Sequence, residues 1–476
     1  MIYTITADNL REGIVGIDLP ASKSLSNRAL ILKALCDGEC KLAHLSDCDD
    51  TRVMLKAFED DPSTGSETDG NTRIVDIGAA GTSMRFLTAY FATREGRNVV
   101  MTGSARMKQR PIGILVNALR ELGADIEYAE AEGFPPLRIH GKQLKGGALS
   151  IDGSTSSQYI SALLMIAPTL SDGLTLTLTG SITSRPYIDM TLAMMREFGV
   201  STAWTADNRI EVKPQRYTAK AYSVESDWSA SSYWYEICAI ASRTRKSVSY
   251  ELKGLKPNSL QGDSKVAAYF SELGVKTTFN DEGAVITCDG NQELPSKVEW
   301  DLGGQPDLAQ TIIVSCCCLG IPFDIKGLHT LRIKETDRIT ALQTELSRFG
   351  YAIDAHGDDR MTWDGTQNDN TCIAPIVRTY DDHRMAMAFA PFGIDDSPAI
   401  CNPEVVTKSY PTYWNDLRSA GFMIEEEDIS PEELEGILKK AIERNMRTRT
   451  KAKWILNTLL ALAALLIVWL CVKCTN

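Results

Sequence analysis

The stretch Leu331-Arg332-Ile333-Lys334-Glu335-Thr336-Asp337-Arg338 sets three cations, Arg332, Lys334 and Arg338, among the carboxylates Glu335 and Asp337. Such a mixture suits a solvated helix face, or an anion site with a proton-transferring group beside it. The surroundings favour the second. Gly327 and His329 follow a predicted strand over residues 321–325. Asp337 and Arg338 then open an amphipathic helix with Ile339, Leu342 and Leu346 on one face. Cations beside the free amides of a helix N-terminus make an anion site.

Five more clusters fall at such junctions. Pro20-Ala21-Ser22-Lys23-Ser24-Leu25-Ser26-Asn27-Arg28 follows a predicted strand (14–19) and opens a helix. Its Lys23, Ser24 and Arg28 suit phosphate or carboxylate, although the glycines of a P-loop are missing. In Gly78-Ala79-Ala80-Gly81-Thr82-Ser83-Met84-Arg85, Gly81 would let a ligand approach backbone amides closely. Arg106-Met107-Lys108-Gln109-Arg110-Pro111 carries three cations before a helix predicted from Pro111, and a solvated basic loop would look the same. Gly153-Ser154-Thr155-Ser156-Ser157-Gln158-Tyr159 precedes an apolar helix (160–167). One Ser suffices for an N-cap, so the row Ser156, Ser157, Gln158 points to hydrogen bonding with something else. Ser184-Arg185-Pro186-Tyr187 repeats the theme. Asp381-Asp382-His383-Arg384 precedes an apolar helix (385–389), and Lys408 adds a further cation in Thr407-Lys408-Ser409. Together these clusters hold more Lys and Arg than one carboxylate needs. They suit two anionic substrates, one phosphorylated, with few metal ligands. Asp307, in Gly303-Gly304-Gln305-Pro306-Asp307, and Glu335 are the carboxylates placed to move protons.

The elements that must position these groups recur. A helix ending in Gly and followed by a short strand appears around Gly123, Gly199, Gly274, Gly350 and Gly421. The spacing is about 75 residues, enough for a complete βα unit. A first copy over residues 51–58 lacks its Gly. Six units cover roughly residues 1–425, and alternating strands and helices make the class α/β or α+β. Six units divide into two similar domains of three.

Bulk properties narrow the partners. The 476 residues carry a net charge of −12, so a nucleic-acid partner is not expected. Twelve cysteines, including the run Cys316-Cys317-Cys318, show no CxxC pair with a distant CxxC partner and read as buried thiols in a reducing cytoplasm. No secretory signal opens the chain. Past Ile424, Ser430-Pro431-Glu432-Glu433 reads as a capping box opening a connector helix. Residues 454–472 form an apolar run of about 19 residues, long enough to span a bilayer. Arg444, Arg447, Arg449, Lys451 and Lys453 precede it and only Lys473 follows, which would keep the body cytoplasmic. The alternative is a buried or dimerising helix.

In combination the motifs Ser22-Lys23-Ser24-Leu25-Ser26-Asn27-Arg28, Ala80-Gly81-Thr82-Ser83-Met84-Arg85, Arg106-Met107-Lys108-Gln109-Arg110-Pro111, Ser156-Ser157-Gln158, Lys334-Glu335-Thr336-Asp337-Arg338 and Asp382-His383-Arg384-Met385 resemble the 5-enolpyruvylshikimate-3-phosphate synthase family over about residues 1–425. That resemblance implies two domains, each of three βαβαββ units (an inside-out barrel). The boundaries would be 1–19 with 226–427, and 20–225, followed by a helical connector (428–453) and the candidate transmembrane helix (454–472). It implies transfer of the enolpyruvyl group of phosphoenolpyruvate to the 5-hydroxyl of shikimate 3-phosphate, with release of phosphate and no cofactor. By resemblance, Lys23, Ser24, Arg28, Gln158 and Asp307 would hold shikimate 3-phosphate, with Ser156, Ser157, Ser184 and Lys334 on its phosphate. Lys23, Gly81, Arg110, Gln158, Arg338, Arg384 and Lys408 would hold phosphoenolpyruvate. Asp307 would accept the hydroxyl proton and Glu335 would protonate the methylene carbon, assisted by Lys23 and His383.

The chain departs from the family pattern at Ala79 (usually Asn), Phe86 (often Pro) and Thr330 (commonly Asn). A related transferase acting on a UDP-sugar would carry a Cys within residues 103–110, where none occurs. A non-catalytic, membrane-tethered relative would not need Lys23, Asp307, Glu335 and Arg384 intact. The body is expected to be monomeric. Cations from the two sets of units should face and repel one another, which predicts an open arrangement closing on two bound anions.

Overall fold

The computed structural model describes residues 1–59, 72–243, 248–288, 290, 293–368, 375–434 and 436–437. A helix apolar on every face must be wrapped on every side. Ala309–Leu319 and His383–Phe389 bury every residue, and Gly81–Ala92 and Ser157–Ile166 bury all but Tyr90 and Gln158 respectively. Two sets of such helices pack among themselves. One holds Lys23–Leu35, Gly81–Ala92 and Ser157–Ile166; the other holds Trp228–Arg243, Ala309–Leu319 and His383–Phe389.

Sheets enclose them. Thr72–Asp76 and Asn98–Thr102 pair in parallel across the helix Gly81–Ala92. Leu137–His140 adds antiparallel to Asn98–Thr102, and Asp125–Tyr128 antiparallel to that. A parallel pair needs a crossover, and an antiparallel return needs only a turn, so each unit gives one mixed sheet. The same order recurs with Gly147–Asp152 and Leu174–Thr179, and with Val298–Asp301 and Phe323–Lys326. Two sheets are completed from far along the chain. Gly13–Ile17 pairs in parallel with Val248–Lys253, and Ile2–Thr6 lies between Ala399–Cys401 and Met423–Glu427. The first expected unit departs from the pattern: it has only the short parallel pairs Cys36–Asp37 with Tyr217–Thr218 and Lys41–Ala43 with Ala221–Ser223, beside the helix Asp49–Phe58. The helix-ending glycines take the expected left-handed conformation, with φ of 101° at Gly123, 82° at Gly199, 90° at Gly274, 89° at Gly350 and 101° at Gly421.

The apolar interior forms two large clusters. A continuous core draws on residues from Ala21 to Val224, and a split core on Ile5 to Leu19 with Trp228 to Phe422. The chain crosses between them twice, side by side: Ser22 N–H donates to Glu225 O at 2.8 Å and Asp227 N–H to Pro20 O at 2.9 Å. The described cysteines are free thiols, and Cys316, Cys317 and Cys318 are buried in their helix.

The capping box forms, with Ser430 N–H donating to Glu433 Oε2 (2.9 Å) and Glu433 N–H to Ser430 Oγ (3.1 Å). The turn that follows seats Leu434 against Ile2, Ile376, Ala399 and Cys401. A chain cut after Glu427 should therefore be about 1.5–3 kcal/mol less stable than one cut after Ile437, through loss of the burial of Leu434. Urea unfolding of the two truncations reads the difference, and equal midpoints would remove Leu434 from the fold. No described helix is long and apolar enough to cross a membrane. Residues 454–472, and the connector at 435 and from 438 on, lie outside the described residues.

Candidate active site

The six buried helices begin at one cavity. Lys23, Gly81 and Ser157 stand at the first turns of the continuous-core helices. Ser229, Asp307 and His383 stand at or just before those of the split core. Helix N-termini carry partial positive charge and unpaired N–H groups, so their convergence favours anions. Ser22, Ser156 and Asp382 cap their helices by side chain, whereas Ala80 offers none. The first amides of Gly81–Ala92 therefore lack a side-chain cap.

The cavity brings together Lys23, Ser24, Arg28, Gly81, Arg110, Ser156, Ser157, Gln158, Ser184, Asp307, Lys334, Glu335, Arg338, His383 and Arg384. Lys408 is not among them: its Nζ donates to Asp381 O at 2.5 Å, and the neighbouring Ser409 lines the wall instead. Asp50, Thr82, Arg85, Tyr187 and Tyr233 also line the cavity, though the sequence gave no separate reason to choose them.

On the continuous-core wall, Arg28 is buried without a carboxylate partner among the described residues. Its Nε donates to Thr191 Oγ1 (2.7 Å), Nη1 to Ser24 O (2.9 Å), and Nη2 to Ser161 Oγ (3.1 Å) and Tyr187 O (3.4 Å). Phe86 lies under the guanidinium, 5.3 Å away, which gives that departure from the family pattern a physical use. Burial lowers the Arg28 guanidinium to about 10, so an anion brought beside it would gain strongly. Arg110 is likewise lowered to about 10, by burial and by Arg85. Gly81 is needed for this pair: a Cβ there would stand 2.5 Å from Arg110 Nη1 and 2.7 Å from Arg85 Nη1. Gln158 Nε2 donates to Thr82 Oγ1 at 3.1 Å. Burial would lower the Lys23 ammonium, but Asp50, 3.7 Å from Nζ, and further anionic neighbours outweigh it and raise the group.

On the facing wall, Asp307 receives Arg384 Nη2 (2.9 Å) and Arg338 Nη1 (3.1 Å), with Lys334 Nζ at 3.5 Å. Burial alone would raise its carboxyl, yet Arg384, Lys334 and Arg338 hold it well below the ordinary range. Glu335, 2.9 Å from Arg338 Nη2, is held down in the same way by Arg338, Arg110 and Lys23 against burial. Arg338 is itself clamped on Asp382, with Nε to Oδ2 at 2.7 Å and Nη2 to Oδ1 at 3.3 Å.

His383 is buried, and burial together with Lys23 and Arg384 drives its imidazole well below the usual range, toward the neutral form. One expectation needs correction: the repulsion between cationic walls is offset. Asp50, Asp307 and Glu335 are interleaved with the cations, and Arg106 Nε donates across to Glu335 O at 3.3 Å. Counting cations alone missed this. Several buried polar atoms at the cavity lack a protein partner among the described residues: Arg85 Nε, Arg110 Nε, Thr330 Oγ1 and both His383 nitrogens. Buried polar groups are normally satisfied, so these mark where a polar ligand belongs.

The model of the EPSP synthase (3-phosphoshikimate 1-carboxyvinyltransferase) family matches residues 11–417. The 3-phosphoshikimate 1-carboxyvinyltransferase of Bacteroides fragilis (strain YCH46) is 52% identical over 409 residues, covering 86% of this chain and 95% of that protein. A protein of the same name from Haemophilus influenzae (strain ATCC 51907) is 38% identical over 422 residues, covering 84% and 95%. An EPSP synthase structure from Acinetobacter baumannii superposes with a TM-score of 0.69 at 23% identity, covering 89% of this chain and all of that one, which speaks for the fold. With a matching family model over most of its length and relatives at this identity, the chain belongs to the EPSP synthase family.

Proposed function

We propose that the protein joins phosphoenolpyruvate to the 5-hydroxyl of shikimate 3-phosphate and releases phosphate. The observation that carries this reading is one cavity in which two groups of buried cations face each other across Asp307 and Glu335, at the N-termini of six helices. Lys23, Ser24, Arg28, Ser156, Ser157, Ser184 and Lys334 take shikimate 3-phosphate. Arg110, Gln158, Arg338 and Arg384, with the Gly81 amide and Lys23, take phosphoenolpyruvate. Lys408 could join them only by leaving Asp381 O.

The pairing of Asp307 sets the order of events. Held by three cations, its carboxylate is a weak base. Two arriving anions compete for Arg384, Lys334 and Arg338, and so raise its affinity for the 5-hydroxyl proton. The same negative charge raises Glu335, allowing it to carry a proton to the methylene carbon of phosphoenolpyruvate as the hydroxyl oxygen bonds to C2. In the second half, a proton leaves that carbon, the double bond re-forms, and the C2–O bond to phosphate breaks. Neutral His383 and protonated Lys23 orient the reacting groups.

Each core, in this reading, is a domain of three βαβαββ units, and the body is a cytoplasmic monomer. Purified protein given both substrates should release inorganic phosphate; no release would overturn the assignment. Gly81→Ala should raise KM for phosphoenolpyruvate at least about tenfold, since Arg110 must move, with a smaller change for shikimate 3-phosphate. Equal changes for both substrates would place Gly81 outside the phosphoenolpyruvate half.

A further inference from the structure

Ser184, just before the helix Arg185–Glu197, has φ 53°, a left-handed conformation unusual for a residue other than Gly. Such conformations persist where the surroundings impose them, and here the opposite core does so. Ser184 N–H donates to Gly303 O at 3.0 Å. Pro186 sits against two glycines: a Cβ on Gly262 would stand 2.6 Å from Pro186 Cβ, and one on Gly304 3.5 Å from Pro186 Cγ. Tyr187 donates its hydroxyl to Asp263 Oδ1 at 3.0 Å, and the other Asp263 oxygen accepts from Ser229 Oγ. Asp263 is 3% exposed and forms no ion pair among the described residues. Burial, with Asp307 adding to it, pushes its carboxyl up to about 6, which suits a hydrogen-bonding group better than a counter-ion.

The contact leads onward into the cavity. Tyr187 O accepts from Arg28 Nη2 (3.4 Å) and Thr191 Oγ1 (2.9 Å), and Thr191 Oγ1 in turn accepts from Arg28 Nε (2.7 Å). One carboxyl of the split core thus reaches, through one tyrosine, the unpaired guanidinium of the continuous core.

We propose that Asp263, with the Gly262/Gly304 notch for Pro186, is a clasp between the two cores that positions Tyr187, and through it Arg28, for shikimate 3-phosphate. Asp263 is a positioning residue: it acts through Tyr187. Because the clasp and the Arg28 site stabilise the same arrangement, each strengthens the other, and coupling of this kind is reciprocal. The proposal rests on the reading of Arg28 as a shikimate 3-phosphate ligand.

The test uses steady-state kinetics on the full chain. Asp263→Ala should raise KM for shikimate 3-phosphate about tenfold, within the usual range for such couplings, with kcat nearly unchanged. Asp263→Asn keeps an acceptor for the Tyr187 hydroxyl and should restore most of the affinity. Gly262→Ala, which displaces Pro186 without touching Tyr187, should give the same KM signature. Asp263→Ala combined with Tyr187→Phe should be no worse than the worse single change. An unchanged KM in Asp263→Ala or Gly262→Ala, additive losses in the double variant, or a fall in kcat alone would overturn the clasp. Wild-type phosphate release separates the two questions: its absence defeats the proposed reaction, whereas its presence with unaltered variants defeats the clasp alone.

Discussion

Asp307→Asn is expected to lose on the order of 10² to 10⁴ in kcat, the usual worth of a general base, without a rise in KM for either substrate. The two halves of that expectation have different origins. The amide is nearly isosteric and still accepts from Arg338 and Lys334 at Oδ1; Arg384 loses its Oδ2 acceptor but stays tied to the Asp307 backbone carbonyl through Nη1 at 3.1 Å, so the wall should largely hold. It cannot take a proton from the substrate hydroxyl. Removing a negative charge from among three cations also leaves them more attractive to anions, so affinity should hold or improve. A residue that merely shaped the pocket would show the reverse, with KM rising and kcat intact. Wild-type kcat in Asp307→Asn would move the base elsewhere, and Glu335 is the next candidate.

Arg338→Met should cost about 3–5 kcal/mol of folding stability in addition to activity. Arg338 is 1% exposed and Asp382 is fully buried. Their contact is two-pronged, and Asp382 has no other cation as close: His383 Nδ1 lies 3.9 Å away and is neutral. Met fills similar volume, so the loss would come from a buried carboxylate stripped of its counter-charge and not from a void. Adding Asp382→Asn should recover a large part of it, because the amide still caps the Arg384 N–H, now 2.9 Å from Oδ1. Urea unfolding of both variants decides. A midpoint unmoved by Arg338→Met, or a double variant no better than the single one, would mean that Arg338 is not the charge Asp382 depends on.

The sequence was most informative where chemistry is local. The helix-ending glycines, the N-cap at Asp337 and the capping box at Ser430 depend on neighbours a few residues away, and each forms as expected. The buried face of Ile339, Leu342 and Leu346 followed from periodicity. Boundaries were less legible: the helix expected from Pro111 begins at Gly113, because Ile112 N–H is taken by Gly133 O. The first unit carries no helix-ending glycine, and its strands pair over only two or three residues each. In the site, every cation that the resemblance assigned to a substrate except Lys408 lines the cavity; of the other cations singled out, Arg332 pairs with Asp337 and Asp358 and Lys108 with Glu130, away from it. Asp50 and Arg85 were missed because each looks like an ordinary polar member of a helix's N-terminal half. Arg85 lies four residues after Gly81, to whose carbonyl its Nη1 donates at 2.8 Å. The neutrality of His383 was not legible at all. Burial decides it, and burial is a property of the assembled walls.

A positive potential made from peptide dipoles has no side chain to mutate and no proton to lose. It is also short in reach, fading within about one helical turn. The protein around it carries a net charge of −12, so an approaching dianion meets repulsion first and attraction only at the mouth of the cavity. Long-range steering therefore works against the encounter rate, and salt, which screens exposed charges beyond about 8 Å, should leave capture unharmed or speed it. Selectivity for anions is exercised at the end of the journey, by geometry that only a ligand already inside can feel.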